Sequence, residues 1–332
     1  MVATRRPGLA GHGLTIWRSN APPPDHLRHA VVAIGNFDGM HRGHQRLVAI
    51  AQEEAARRGV QSAVLTFDPH PRAFFQPDAA LFRLTPEPVK EKIFAALGLD
   101  IAFVRGFDAA LAATKAHAFV NDLVIGELGA TGLVVGSNFH FGRGREGTPE
   151  VLQQLAAAGG LGCTIVPAVS FGDEDVSSSR IRAALCEGDV AVANSLLGYR
   201  WFVEGEVVHG EKRGRELGYP TANLRLDPGC RLRHGIYAVR AALGPGLVYD
   251  GVASFGRRPT FDDGAPLLET FIFDFAGDLY GRAVSIEFVE WIRGEERFDS
   301  AEALVVQMND DAMQARSILA RPIAPEIRSL IG

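Results

Sequence analysis

Gly35-Asn36-Phe37-Asp38-Gly39-Met40-His41-Arg42-Gly43-His44 follows an apolar run, His29-Ala30-Val31-Val32-Ala33-Ile34, that has the length and composition of a short buried strand. Beyond it, His44 to Arg58 has helical spacing, with Leu47, Ile50, Ala51 and Ala55 on one face. Gly59 stands where a helix C′ glycine belongs. A strand, a glycine-containing turn and a helix aim the turn's N–H groups and the positive end of the helix dipole at one point, where a phosphate docks. His41 and His44 stand at that mouth, and their imidazoles can donate hydrogen bonds to phosphoryl oxygens. Gly43 lets a polyphosphate approach the backbone. The pattern suits transfer at the α-phosphate of a nucleotide.

Other readings of the turn are weaker. Zinc requires three or four ligands in closed geometry, and the three cysteines lie far off at 163, 186 and 230. The G-x-x-x-x-G-K-[ST] pattern of a P-loop is absent. A surface turn with no function would not require the strand and helix that flank this one.

Bulk properties narrow the class. The 332 residues predict about two domains. A hydrophobic fraction of 47% with mean hydropathy +0.05 is ordinary for a globular chain with substantial cores. A net charge of −5 argues against a general nucleic-acid surface. Isolated cysteines without C-x-x-C spacing predict a reduced compartment. Arg5 and Arg6 precede no continuous apolar segment, and no run approaches the ~18 apolar residues that span a membrane. The expectation is a cytoplasmic protein without nucleic-acid or membrane partners.

Along the chain, residues 1–28 read as an extended lead-in rich in Gly and Pro. Strands and helices then alternate: Ser62–Phe67 (strand), Pro86–Leu97 (helix), Ile101–Val104 (strand), Ala112–Leu128 (helix), Gly132–Val135 (strand), Pro149–Ala158 (helix) and Cys163–Val169 (strand). Alternation of this kind predicts a parallel sheet covered by helices on both faces, with ligands bound beyond the C-terminal strand ends. The chemistry-bearing residues fall at those ends. Asn36–His44 follows the first strand, Asp68-Pro69-His70-Pro71 the second, and Gly136–Gly147, with Asn138, Phe139, Phe141, Arg143 and Arg145, the fourth. Aromatic faces there could stack on a planar ring and arginines could pair with phosphate. Ser177-Ser178-Ser179 and Arg182 open a helix after the fifth strand, where hydroxyls serve as caps in any case.

After a helical connection broken at Gly188-Asp189, the pattern changes. Phe202–Val208, Gly235–Ala242, Gly246–Phe255, Glu269–Phe275 and Ala283–Val289 are short β-type runs, which predict a small antiparallel barrel. A last helix is expected from Asp299, with Glu302 in capping-box relation. The predicted divisions are an extension 1–28, an α/β Rossmann-like domain 29–185, a linker 186–198 and a barrel domain 199–332. The barrel carries a second constellation: a glycine loop, His209–Tyr219, runs into Pro220-Thr221-Ala222-Asn223. By itself this reads equally well as a hairpin loop.

Together these motifs resemble the bacterial bifunctional riboflavin kinase/FMN adenylyltransferase (FAD synthetase) family. The H-x-G-H turn preceded by Gly-Asn-Phe-Asp-Gly is similar to that family's nucleotidyltransferase signature. Ser177–Ser179 with Arg182 matches its I-S-S-T-x-x-R pattern, with Ser for Thr. Pro-Thr-Ala-Asn behind a glycine loop resembles the riboflavin kinase signature, as do Arg258-Pro259-Thr260, Glu269 and Trp291-Ile292-Arg293 in order. The usual Asn-Ile-Gly is Ser254-Phe255-Gly256 here. Class I tRNA synthetases share H-x-G-H, but their lysine-rich loop is missing.

The resemblance implies two reactions: ATP-dependent phosphorylation of riboflavin to FMN, and adenylyl transfer from a second ATP to FMN. It implies Mg²⁺, with Thr221 and Asn223 positioning it, and Glu269 as the kinase's catalytic carboxylate. His41 and His44 would serve adenylyl transfer. Gly35, Asn36, Phe37, Asp38, Gly43, Ser177–Ser179 and Arg182 would hold nucleotide phosphates in one domain. Gly210, Gly214, Gly218 and Pro220 would do so in the other. Asp68, His70, Asn138, Phe139 and Phe141 would line the flavin pocket. The alternative is a single-activity nucleotidyltransferase fused to a non-catalytic binding barrel.

Overall fold

The structure is a computed structural model and describes residues 4–6, 13–210, 218–257, 266–322 and 327–331. The chain divides into two compact units. The first comprises Met1–Ala80 and Thr85–Ser177; the second comprises Ser178–Gly332 with Leu81–Leu84.

The first unit is built on strands β1 (Thr4–Arg6), β2 (Leu14–Arg18), β3 (Val31–Ile34), β4 (Ser62–Asp68), β5 (Ile101–Gly106), β6 (Gly132–Gly136) and β7 (Gly162–Val166). They lie in the order β1-β2-β5-β4-β3-β6-β7. From β2 to β7 all neighbours are parallel, and β1 closes the edge antiparallel. β3 and β4 are buried along nearly their whole length, as strands covered on both faces must be. Helices α1 (Arg42–Arg58), α2 (Pro71–Phe75), α3 (Glu87–Ala96), α4 (Ala109–Ala113), α5 (Ala116–Ala118) and α6 (Pro149–Ala158) lie between them. The chain steps outward from β3 to β4 and β5, then returns to the other side of β3 with β6. That reversal creates a crevice at the C-terminal ends of β3 and β6, where open sheets of this kind bind ligands.

Three local readings are corrected. Residues 1–28 contain a sheet strand, β2, whose Leu14 and Ile16 are buried. Its five residues carry too little periodicity to be read without their partner β5. The helix expected over Ala112–Leu128 is interrupted at Thr114-Lys115 and continues from α5 as a π-helix over Phe119–Glu127. The fifth strand stops at Val166, and a two-residue hairpin of β8 (Ser170–Phe171) and β9 (Glu174–Asp175) follows.

The second unit begins with α7 (Ser178–Glu187) and α8 (Val190–Leu197) and continues as a closed barrel. Its strands are β10 (Phe202–Val208), β11 (Thr221–Arg225), β12 (Gly235–Ala242), β13 (Val248–Arg257), β14 (Pro266–Ile272) and β15 (Ala283–Arg293), in the order β10-β11-β14-β13-β12-β15 with every pair antiparallel. Closure leaves no open edge. Alternation sorts the faces: Leu224, Leu268, Thr270 and Ile272 are buried, while Leu267, Glu269 and Phe271 are half-buried on the opposite face. Helix α9 (Ala301–Leu319) packs Ala315, Ile318 and Leu319 on Ala238, Val252 and Phe273. Its N-cap is Ser300, which accepts from Ala303 N, rather than the expected Asp299. Thr221–Arg225, met in sequence as the end of a glycine loop, is a barrel strand; its pairing with β10 and β14 makes it one.

Candidate active sites

The turn after β3 is tied to the sheet from both sides. Gly35 N donates to Leu65 O at 3.1 Å, and Thr66 Oγ1 donates to Asn36 O at 3.2 Å. Phe37 (φ 51°) and Met40 (φ 38°) then adopt left-handed conformations, although both are bulky and fully buried. Bulky residues seldom tolerate that region, and such strain concentrates at functional turns. Buried Asp38 accepts from Thr85 N at 3.0 Å, and Thr85 Oγ1 lies 3.3 Å from the same oxygen. Gly39 N donates to Thr85 Oγ1 at 2.8 Å, and Gln45 Nε2 donates to Met40 O at 2.7 Å.

His41 is the N-cap of α1, its Nδ1 accepting from His44 N at 3.4 Å. The two imidazoles stack with centroids 3.7 Å apart, and Phe37 meets His44 edge-on at 5.3 Å. A side chain on Gly43 would lie 3.1 Å from the His41 ring, so glycine is what lets the ring fold back over the helix start. Burial pushes the His41 imidazole down to about 4, against the opposing pull of Asp38. His44 is held well below the ordinary 6.5, first by burial and then by His41 and Lys90. Both rings are therefore neutral near pH 7. With Nδ1 of His41 accepting, its proton sits on Nε2, which becomes a donor. His44 Nδ1 is buried without a hydrogen-bond partner among the described residues. A neutral pair of donors at the start of a 17-residue helix is suited to phosphoryl oxygens.

The other expected residues of this unit flank the same strand ends. Asp68 closes β4 and pairs with Arg18 at 3.4 Å; Arg18 also reaches Glu91 at 2.7 Å. The Asp68-Pro69 bond is cis, and His70 caps α2 by accepting from Arg72 N. After β6, Asn138 is exposed and Phe139 half-buried. Phe141, expected to line a pocket, is 6% exposed and sits in the core against Phe119. Its ring covers Gly147, where a Cβ would lie 2.5 Å from it. Phe139 stacks on it at 5.5 Å, leaving Asn138 and Phe139 as the accessible members. Ser177 ends the first unit, whereas Ser178, Ser179 and Arg182 stand on α7 of the second. Arg182 Nε donates to Phe82 O at 2.7 Å, within that second unit.

In the barrel, the register places Asn223 of β11 directly opposite Glu269 of β14, and Glu269 opposite Ser254 of β13. One step along, Thr221 faces Phe271. Cross-strand neighbours carry Cβ atoms about 4.5–5.5 Å apart on one face, so Asn223, Glu269 and Ser254 form a row. Asn223 is 4% exposed. Its Nδ2 donates to Thr221 O at 3.3 Å, while its Oδ1 has no partner among the described residues. A side chain at Gly210 would strike Asn223 Nδ2 at 2.7 Å, so the Gly210 backbone lies directly on that amide. Gly218 has φ 86° just before Tyr219, whose hydroxyl donates to Asn309 at 2.5 Å; Pro220 then enters β11 exposed. Gly214 and Arg258-Pro259-Thr260 lie outside the described residues.

Sequence reasoning missed Thr85, Lys90 and the place of Ser254. Lys90 is 3% exposed and ion-paired with Glu87 at 2.5 Å. It stands one turn before Phe94, which packs on Phe37 at 5.7 Å. No local signal marks any of the three, since each acquires its neighbours only through folding.

No helix among the described residues is long and apolar enough to cross a membrane. The FAD synthetase family profile matches residues 24–180 and the riboflavin kinase profile residues 197–319. The bifunctional riboflavin kinase/FMN adenylyltransferase of Escherichia coli K12 is 39% identical over 287 residues, covering 86% of this chain and 91% of that protein. Its counterpart in Pseudomonas fluorescens is 39% identical over 298 residues, covering 90% and 95%. That of Bacillus subtilis 168 is 37% identical over 292 residues, covering 86% and 91%. Among solved structures, a Streptococcus pneumoniae protein described as a macrolide-efflux protein superposes with TM-score 0.81 at 31% identity, over 91% of this chain and 98% of that one. Two profiles on two folded units, with relatives matched nearly end to end, lead to one conclusion: the chain belongs to the bifunctional riboflavin kinase/FMN adenylyltransferase family.

Proposed function

We propose that this chain makes both flavin cofactors, the barrel unit phosphorylating riboflavin and the α/β unit adenylylating the FMN produced. The observation that carries this reading is the fall of the two family profiles on the two separate units. The FAD synthetase profile covers the histidine turn; the riboflavin kinase profile covers the Asn223–Glu269 row. A non-catalytic barrel would have no need of a carboxylate directly opposite a buried amide.

In the barrel, the 5′-hydroxyl of riboflavin attacks the γ-phosphorus of ATP. The O–Pγ bond to ADP breaks as the new ester bond forms. Glu269 accepts the hydroxyl proton as general base. The buried Oδ1 of Asn223, without a partner among the described residues, fits a hard cation, with Thr221 beside it on the same strand. Mg²⁺ held there with ATP supplies charge neutralisation on the phosphates. Gly210, Gly218 and Pro220 border those phosphates.

In the α/β unit, a phosphate oxygen of FMN attacks the α-phosphorus of a second ATP. The bond from Pα to the bridging oxygen breaks and pyrophosphate leaves. A phosphate nucleophile is already ionised at neutral pH, so no base is required. His41 and His44, kept neutral by burial, donate to the transition-state oxygens. Gly35 to Asp38 and Gly43 shape the turn around the nucleotide. Ser177 receives the leaving pyrophosphate, while Asp68, His70, Asn138 and Phe139 border the flavin.

The test is direct. The purified chain is incubated with riboflavin, ATP and Mg²⁺, and flavins, ADP and pyrophosphate are separated by chromatography. FMN with ADP followed by FAD with pyrophosphate is expected; FAD formation from supplied FMN without any ADP from riboflavin would leave only the nucleotidyltransferase.

A further inference from the structure

The turn that carries His41 and His44 runs against the conformational preferences of its own residues. Phe37 and Met40 hold φ of 51° and 38°, and both are fully buried. A turn of this kind persists only where its surroundings impose it. Three of the hydrogen bonds that do so converge on a residue from outside the motif. Gly39 N donates to Thr85 Oγ1 at 2.8 Å. Thr85 N donates to Asp38 Oδ1 at 3.0 Å, and the Thr85 hydroxyl, its own proton still free to give, lies 3.3 Å from that same oxygen. One hydroxyl thus accepts from one turn residue and donates to the residue before it. Thr85 is 3% exposed and Asp38 4%, so water does not readily stand in for either partner.

We infer that Thr85 is a positioning residue for adenylyl transfer: its buried hydroxyl clamps the Phe37–Met40 turn so that His41 caps α1 and stacks on His44 where both face the transferring phosphoryl group. The inference rests on His41 and His44 being the transferase pair, and adds to it a residue from the segment leading into α3. The coupling is short. His41 is the next residue after Met40, and its ring is held to His44 by the cap bond and the 3.7 Å stack. Any relaxation of the turn passes straight into the imidazole. A misplacement of about 1 Å in a preorganised group costs on the order of 10²-fold in rate.

Thr85→Val preserves the shape but removes the hydroxyl that meets Gly39 N and Asp38 Oδ1; Thr85→Ser keeps the hydroxyl. The full-length variants are assayed for FAD formation from FMN and ATP, with hydrogen exchange of peptides spanning β3 and β4 as the control for folding of the α/β unit and FMN formation from riboflavin as the control for the barrel. Histidine ¹⁵N couplings report the tautomer of His41. Thr85→Val is expected to lower kcat for adenylyl transfer about 10–100-fold, with KM for FMN and ATP little changed and kinase turnover at the wild-type level. Its His41 Nδ1 should lose the acceptor signature, and Thr85→Ser should restore both rate and spectrum. Should the valine variant fail to fold, Thr85→Ala takes its place in the comparison. A variant without the hydroxyl that merely melts earlier, with wild-type kcat while folded, overturns the inference, and so does a serine variant as slow as the valine one. His44→Ala is run alongside: if it forms FAD normally, the reading of the turn itself fails. If it is inactive while Thr85→Val is fully active, only the clamp fails.

Discussion

Acid should loosen the α/β unit through His41. The folded imidazole is held to about 4 by burial, whereas in the unfolded chain it returns to about 6.5. Between those values the unfolded state binds the proton and the folded state does not, so stability rises with pH and is lost as pH falls. Linkage with these two values gives a loss of about 2 kcal/mol by pH 5 and about 3 kcal/mol by pH 4, with none above pH 7. His44, also held below 6.5, adds in the same direction. The perturbation is His41→Asn, chosen because asparagine is a good N-cap whose carbonyl can accept the His44 N–H that His41 Nδ1 accepts. It removes the titration and keeps the cap. Hydrogen exchange of peptides spanning β3 and β4, followed from pH 7.5 to pH 4.5 with correction for intrinsic rates, reports the stability of this unit separately from the barrel. The wild type should lose about 2.5 kcal/mol more than His41→Asn over that range. Equal losses in both would mean that His41 titrates normally in the folded protein, and the argument from its burial would be wrong.

Three further outcomes are expected. His44→Ala should cut adenylyl transfer by about 10²–10³, as for one lost preorganised donor, while FMN still accumulates from riboflavin; unchanged FAD formation would remove the pair from the reaction. Glu269→Gln keeps size but cannot take a proton, so ADP release with riboflavin should fall by about 10²–10⁴ with FAD formation from FMN intact; loss of both activities would indicate misfolding. A fragment starting near Ser178 should make FMN but no FAD, and should be less stable than the same unit in the whole chain by about 3 kcal/mol or more. It lacks Phe82 and Leu84, which are buried in that unit against Trp201; thermal melting of fragment and whole chain, each followed by kinase activity, checks this.

The histidine turn was legible because its parts are local. A short apolar strand, ten motif residues and one amphipathic helix need no distant partner to be recognised, and the glycines at 59 and 98 end their helices in left-handed geometry, as their positions imply. The barrel strands at 202–208 and 235–242 were legible for the same reason, as short β-type runs between glycine-containing turns. The packing of Phe141 over Gly147 and against Phe119 was not legible, because an aromatic residue in a glycine-rich loop has the same local signature whatever it packs on.

By itself the sequence determined the alternation that makes a parallel sheet, the switch to short strands that makes a barrel, and the residue types that carry the chemistry. These are properties of neighbours along the chain, set by backbone propensity and hydrophobic period. Only the tertiary structure made Leu14–Arg18 a strand, placed Asn223 and Ser254 on either side of Glu269, joined Leu81–Leu84 to the barrel unit, and brought Thr85 to Asp38 and Gly39. Each depends on a hydrogen bond or a strand register between residues tens of positions apart. Such pairings are fixed when cores close and buried polar groups must find partners, a condition imposed by the whole fold and written in no single segment.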